Sequence, residues 1–142
     1  MEINTNVIKK VIETNDIYAQ FQPIVSINAR RMIGVEALSR GCFSGMTISP
    51  YYLFEYAKDL GLTCELDRIC HEKALETFSG EPIVPLLFLN LDADALKNVQ
   101  LDINDIINTT DKYNIARENI VLEINEKQIN DNNKLCKFVE YY

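Results

Sequence analysis

The sequence predicts an α/β fold built on a mostly parallel sheet, and two features carry this prediction. Two short, nearly all-apolar runs, at residues 84–91 and 119–124, have the length and composition of strands covered on both faces. Helical patterns precede and separate these runs, giving the order β-β-α-α-β-α-β-α after a leading helix. No GxGxxG or GxxxxGK[ST] phosphate loop is present, so the pattern does not indicate a nucleotide-binding doubly wound fold. Both a barrel and an open sheet fit it.

The start of the chain predicts a short helix and then two strands. Residues 6–14 place apolar side chains at helical spacing, which predicts a leading helix within residues 1–16. Residues 17–27 and 31–38 are rich in β-forming residues, and the three residues 28–30 between them suit an antiparallel hairpin. The sheet is therefore expected to open with an antiparallel pair.

Two helices follow, and both have clear ends in the sequence. Ser49-Pro50 offers an N-cap with proline at the first helical position, and Gly61 ends this first pattern. The second helix is expected over residues 62–78, before Ser79-Gly80. Ahead of both, the glycine-containing residues 41–47 are expected either to close over a ligand or simply to connect strand to helix.

The rest of the chain alternates strands and helices. Residues 102–113 predict a helix between the two apolar strands, and residues 127–142 predict another after the second strand. The chain contains no linker, repeat or low-complexity tract, which indicates a single domain. It ends inside its last helical pattern, as a chain cut within a domain would.

Composition and charge narrow the classes of partner. The 142 residues are 47% hydrophobic and 25% charged, as in a globular protein, and carry a net charge of −7. No run of Lys and Arg exceeds two residues, so polymeric nucleic acid is not an expected partner. A small anionic ligand is compatible with the net charge, because bound metal ions or one arginine reverse the local potential.

Cysteine usage and hydropathy indicate a cytoplasmic protein. The four cysteines show no C-x-x-C spacing, and the single histidine, His71, adjoins Cys70 within a helical pattern, so a zinc site is not predicted. Isolated thiols of this kind are typical of a reducing cytoplasm. No apolar run approaches the roughly 18–20 residues of a membrane span.

Three polar residues follow apolar segments at the ends of predicted strands: Glu36, Asn90 and Glu123. In a parallel α/β sheet the carboxyl ends of the strands gather at one rim, where active sites form. Two carboxylates and one amide oxygen are ligands for a hard cation such as Mg²⁺ or Mn²⁺. Taken singly, each residue also fits an ordinary role as a strand-edge charge, a turn residue or a surface residue.

Strand periodicity adds neighbours to this set. Leu38 and Arg40 share a side with Glu36, so the guanidinium could hold a phosphate there or simply face solvent. Gln22 could read a base edge or face a hydrated barrel mouth. Glu126 has the opposite parity to Glu123 and is expected in the following loop in a supporting role. His71 has no catalytic partner at a recognisable spacing, so a catalytic role is not expected for it.

These residues together resemble the EAL phosphodiesterases of bacterial cyclic di-GMP signalling. Five segments carry the resemblance in order along most of the chain: FQPIV at 21–25, EALSR at 36–40, Ser49-Pro50 with Ala57, Gly61 and Leu66-Asp67, LNL at 89–91, and LEINE at 122–126. The last segment departs from the family's ExTE motif, because Asn125 stands where the family has threonine. Because the side chains of Asn and Thr form different hydrogen bonds, this replacement affects the hydrogen bonding that the family's active-site loop would have.

The resemblance implies a modified TIM barrel with an antiparallel first strand. It implies that Glu36, Asn90 and Glu123 bind metal, with Glu36 central to catalysis, and that Arg40 contacts the phosphate of the ligand. Gln22 and Leu38 would be further ligand contacts, and Glu126 would organise the active-site loop. The substrate would be cyclic di-GMP, opened to the linear dinucleotide with Mg²⁺ or Mn²⁺, two ions serving the complete domain and at most one being held weakly here.

The resemblance also predicts what this chain lacks. The family's DDFGTG aspartates, catalytic lysine and later glutamate and glutamine have no counterpart before Tyr142. A whole barrel takes roughly 200–250 residues, so residues 1–142 are expected to be the N-terminal part of an EAL domain. By itself the chain is expected to be inactive, and to self-associate or pair with the missing half of the barrel. The alternative is a non-catalytic module that binds cyclic di-GMP or a protein partner.

Overall fold

The computed structural model describes residues 2–80, 85–91 and 99–124, and contains four helices and five strands within these ranges. In chain order the elements are α1 (Thr5–Glu13), β1 (Ile17–Ser26), β2 (Arg31–Phe43), β3 (Met46–Ile48), α2 (Pro50–Leu60), α3 (Thr63–Phe78), β4 (Leu87–Leu91), α4 (Val99–Lys112) and β5 (Ile120–Ile124), with a short 3-10 turn (Arg117–Asn119) before β5. None of the described helices is long and apolar enough to cross a membrane.

The predicted leading helix forms as α1. The side chain of Asn4 caps it by accepting hydrogen bonds from the backbone N–H groups of Asn6 and Val7, at 3.1 and 3.2 Å. Its apolar stripe, Ile8 and Val11 included, is fully buried in a cluster shared with α2, α3 and the start of β1. This packing holds α1 against the open end of the hairpin.

The hairpin of β1 and β2 forms as expected, with a turn over residues 27–30 in which Arg30 adopts a φ of 50°. The segment after β2 differs from expectation. Residues 41–47 are not a loop, because β2 continues to Phe43 and turns back into β3 through Ser44 and Gly45, which both have positive φ. Glycine at position 41 reflects packing, since an added Cβ would lie 2.9 Å from Leu53 of α2.

The two predicted central helices form as α2 and α3. Proline occupies the first turn of α2, and Gly61 ends the helix in the left-handed conformation with φ 69°. The expected side-chain cap at Ser49 does not form, so proline alone marks this start. Leu53 and Leu66 are fully buried between the two helices and α1.

The sheet has the strand order β1-β2-β4-β5, and β3 pairs with the last residues of β2. β2, β4 and β5 are parallel, and β1 is antiparallel to β2, which confirms the predicted α/β class and the antiparallel first strand. The strand predicted over residues 84–91 begins three residues later, at Leu87. The helix predicted over residues 127–142 lies outside the described residues.

One face of the sheet packs against α3 and α4. Leu87 and Leu89 are at most 1% exposed on this face, and burial of each contributes roughly 1.5–3 kcal/mol. The core also contains Val35, Ala37, Ala74, Leu75, Phe78, Leu91 and Ile106. Because side chains alternate along a strand, the residues between these core positions project from the other face.

Candidate functional site

The polar residues predicted at the strand ends lie on the sheet face that α3 and α4 leave uncovered. Glu36 of β2 is in register with Phe88 of β4, and Asn90 stands two residues further along the same face. Asn90 is in turn directly opposite Glu123 of β5. Three adjacent strands therefore bring two carboxyl groups and one amide to neighbouring positions. Asn90 and Glu123 lie near the carboxyl ends of β4 and β5 as predicted, but Glu36 lies midway along β2, because β2 continues to Phe43.

Glu36 and Asn90 are in direct contact. The Asn90 Nδ2 group donates a hydrogen bond of 2.8 Å to Oε1 of Glu36. The backbone pairing of β2 with β4 ends one residue earlier, at Ala37 and Leu89. This side-chain bond therefore continues the link between the two strands beyond their ladder.

Glu123 is electrostatically coupled to Glu36. Partial burial, and secondly the negative charge of Glu36, raise the pKa of the Glu123 carboxyl above its ordinary value. The smaller, Coulombic part of this shift means that the two carboxyl groups are close enough to repel each other when both are ionised. A divalent cation between the two would remove this repulsion.

The donor set fits a hard cation. Two carboxylates and one amide oxygen match Mg²⁺ or Mn²⁺, which retain water in their remaining positions. A cation shared by Glu36 and Asn90 would replace their hydrogen bond, because only the amide oxygen can coordinate a metal. In the part of the chain that the structure describes, no group of three or more His, Cys, Asp or Glu side chains could hold a metal.

The expected ligand contacts Gln22, Leu38 and Arg40 are on β1 and β2. Gln22 of β1 is exposed and directly opposite Glu36 in the hairpin register. Leu38 lines an open cavity of about 430 Å³ whose walls also include Tyr51, Phe54 and Asn90. The half-buried Arg40 lies further along the strand, and its Nη1 donates to the Ser39 carbonyl at 2.8 Å. Glu126 and Asn125 lie outside the described residues.

Sequence reasoning missed the place of His71. This residue of α3 is 8% exposed, and its Nε2 lies 2.9 Å from the backbone oxygen of Asn90. Asp67, one helical turn earlier, is also buried, with Oδ1 3.8 Å from the same nitrogen. An Asp and a His four residues apart at buried positions of an amphipathic helix were the available signal, because such polar groups need partners.

Cys70 also lies beside the cavity, on α3. Burial raises the pKa of its thiol to about 12, outweighing a hydrogen bond from Ser39 that lowers it. The thiolate is therefore scarcely populated near neutral pH. Cys70 packs as a small apolar residue, whereas Cys42 and Cys64 are exposed.

Comparison with known proteins identifies the family of this chain. The family profile of the EAL domain matches residues 5–141. No curated protein sequence gave a significant match. Solved structures also match, and the three described below are 16–23% identical to this chain, so their likeness concerns the fold.

Three of these structures show the extent of the likeness. The PaMucR phosphodiesterase in complex with c-di-GMP has a TM-score of 0.82 at 20% identity, over 96% of this chain and 57% of that one. The FimX EAL domain of Xanthomonas citri in complex with c-di-GMP has a TM-score of 0.81 at 16% identity, over 95% and 54%. The YkuI protein of Bacillus subtilis, in complex with c-di-GMP and calcium, has a TM-score of 0.76 at 23% identity, over 99% and 36%.

These similarities confirm the expectation of a partial TIM-like barrel. The chain spans about half the length of the first two structures and about a third of the third. The profile match extends over nearly all of the chain and includes Glu36, Asn90 and Glu123. The chain belongs to the EAL domain family.

Proposed function

We propose that this chain is the N-terminal part of a metal-dependent phosphodiesterase domain that hydrolyses cyclic di-GMP to the linear dinucleotide. The domain would act in bacterial second-messenger signalling in the cytoplasm. The observation that carries the proposal is the grouping of Glu36, Asn90 and Glu123 on one sheet face, with the pKa of Glu123 raised in part by Glu36. The cyclic di-GMP complexes of similarly folded EAL proteins supply the substrate class.

Each site residue has a role in this proposal. Glu36, Asn90 and Glu123 hold a Mg²⁺ or Mn²⁺ ion through oxygen atoms. Arg40 turns its guanidinium from the Ser39 carbonyl to a ligand phosphate, where a charge-assisted bond is stronger than a neutral one. Gln22 and Leu38 contact the nucleotide, and Glu126 organises the loop after β5.

The chemistry follows from charge. When bound, a divalent ion would supply Lewis acidity and lower the pKa of a bound water. The residues of this chain orient the phosphodiester. Glu36 and Glu123 fix the position of the metal ion, and Arg40 neutralises the negative charge of the phosphate. The cavity beside Leu38 gives the nucleotide room next to this centre.

Hydrolysis requires more than the described residues offer. Two-metal phosphodiester cleavage uses bridging carboxylates and a second ion to stabilise the attacking and leaving oxygens together. The three ligands in the described ranges suit one ion with water in its remaining positions. We expect the 142-residue chain to bind Mn²⁺ weakly and to leave cyclic di-GMP intact.

Metal binding tests the site directly. We expect Glu36→Gln to weaken Mn²⁺ binding, measured by calorimetry, by about tenfold or more, because a charged ligand is lost. Glu118→Gln is the matched control, because this exposed carboxyl precedes β5 at the end opposite to Glu123. Equal affinity in wild type and Glu36→Gln would refute the site assignment.

A non-catalytic module that binds cyclic di-GMP without cleaving it is the second candidate. The single-ion ligand set favours it for this chain taken alone. Incubation with cyclic di-GMP and Mn²⁺, followed by chromatography for the linear product, separates the two functions. Binding without product supports a module or an incomplete enzyme, and product that Glu36→Ala abolishes shows that a second copy supplies the remaining ligands.

The outer edge of β5 suggests how the domain is completed. Within residues 2–80, 85–91 and 99–124, β5 pairs with β4 alone, which leaves its other edge open to a further strand. We expect either a second copy or the rest of the barrel to cover this edge, because open strand edges promote association. Light scattering that shows only monomer across a concentration series would contradict self-association.

A further inference from the structure

His71 joins α3 to the strand that carries Asn90. His71 is 8% exposed, and its Nε2 is 2.9 Å from the Asn90 carbonyl oxygen. A carbonyl oxygen can only accept, so Nε2 carries the proton and donates. The buried imidazole thus holds the backbone of the residue whose side chain contacts Glu36.

The His71 bond lies just beyond the point at which the backbone pairing of β4 with β2 ends. The β2–β4 register ends at Ala37 and Leu89, one residue before Asn90. Beyond that point, two described contacts hold Asn90 on this side, the side-chain bond to Glu36 and the backbone bond to His71. The His71 bond fixes the main chain, from which the direction of the Asn90 amide follows.

We propose that His71 is a positioning residue for the cation site, acting through the Asn90 carbonyl. The inference rests on the proposed function, because it assigns the restrained amide to metal binding. His71 itself touches neither the ion nor the substrate. It sets the position of Asn90 relative to Glu36 and Glu123, so that the site is ordered before an ion arrives.

Substitutions of similar side-chain length can either remove the hydrogen-bond donor at position 71 or retain it. Gln carries Nε2 the same number of bonds from Cβ as His does, so His71→Gln retains a donor to Asn90. His71→Met has similar length and no donor. We expect His71→Met to weaken Mn²⁺ binding by about tenfold, in the range of supporting-residue changes at metal sites, and His71→Gln to remain within about twofold of wild type.

A control separates positioning from general stability. Thr110 is 1% exposed on α4, and its hydroxyl donates to the Ile106 carbonyl at 2.7 Å. Thr110→Val removes this buried bond away from the strand ends, so it should lower the unfolding midpoint and leave Mn²⁺ affinity unchanged. The inference is overturned if Thr110→Val weakens Mn²⁺ as His71→Met does, or if His71→Gln and His71→Met behave alike.

A second measurement does not depend on metal binding. In ¹⁵N-labelled, metal-free protein, the Asn90 side-chain NH₂ resonances, assigned by their loss in Asn90→Asp, report the bond to Glu36. We expect them to move toward the positions of solvent-exposed amides in His71→Met and to stay in place in His71→Gln. His71→Asn, whose donor is one bond too short, replaces His71→Met if that variant does not fold.

The two experiments distinguish failure of the inference from failure of the proposed function. If wild type does not bind Mn²⁺, the proposed function fails, and the Asn90 resonances alone decide whether His71 positions this residue. If wild type binds Mn²⁺ but both His71→Met and His71→Asn leave the affinity and the Asn90 resonances unchanged, His71 is a structural residue only.

Discussion

A substitution at Gly34 tests how closely β2 and β4 pack next to the candidate site. Gly34 lies on β2, two residues before Glu36, beside the residues that lead into β4. A Cβ at this position would lie 2.6 Å from the Leu86 carbonyl oxygen and 2.7 Å from Cε2 of Phe88. Real Cβ contacts essentially never fall below 3.0 Å, so Gly34→Ala must move something.

The Leu86 oxygen cannot retreat freely, because it accepts a hydrogen bond of 2.9 Å from the Val35 N–H. Relieving the clash therefore stretches the link between β2 and β4. Overpacking of this kind costs about 2 kcal/mol, within the usual range of 1–3 kcal/mol. For a chain of this size we expect the unfolding midpoint to fall by about 6 °C.

Thermal unfolding followed by circular dichroism measures this effect. Gly80→Ala is the matched control, because among the described residues its Cβ would meet Thr77 oxygen at 3.5 Å, an ordinary contact, and its midpoint should stay close to wild type. Since the shift separates Glu36 from Asn90, Gly34→Ala should also weaken Mn²⁺ binding. A wild-type midpoint in Gly34→Ala would refute the reasoning that these strands are in close, fixed contact.

Three further results are expected. Glu36→Gln should lower the pKa of Glu123, measured in a ¹³C carboxyl titration. Because the pKa of Glu123 is raised in the folded protein, the free energy of unfolding should fall as the pH rises from 4.5 through the folded pKa. This fall should be less steep in Glu36→Gln. Native Cys70 should resist a thiol-specific reagent at pH 8 while exposed Cys42 reacts, and labelling of both at equal rates would contradict the burial that raises the pKa of Cys70 to about 12. Leu87→Ala, at a fully buried position, should lower the free energy of unfolding by about 3 kcal/mol in urea, and a loss below about 1 kcal/mol would mean that the site collapses around the cavity.

Local patterns were sufficient for most elements. Proline and glycine marked the ends of α2, and the apolar runs around Leu89 and Leu122 marked β4 and β5, because these signals act within a few residues. The segment after Gly41 was misread, because a glycine that makes room for Leu53 looks the same in sequence as a glycine in a loop. β3 was missed for the same reason.

The sequence by itself determined which polar side chains follow the apolar runs of the strands. Strand periodicity and the position of Glu36, Asn90 and Glu123 after apolar runs require only local geometry. The tertiary structure decided their distances, because the register of β2, β4 and β5 depends on strands far apart in sequence. It also decided the role of His71, since a helix residue reaches the Asn90 carbonyl only when α3 packs across the end of β4.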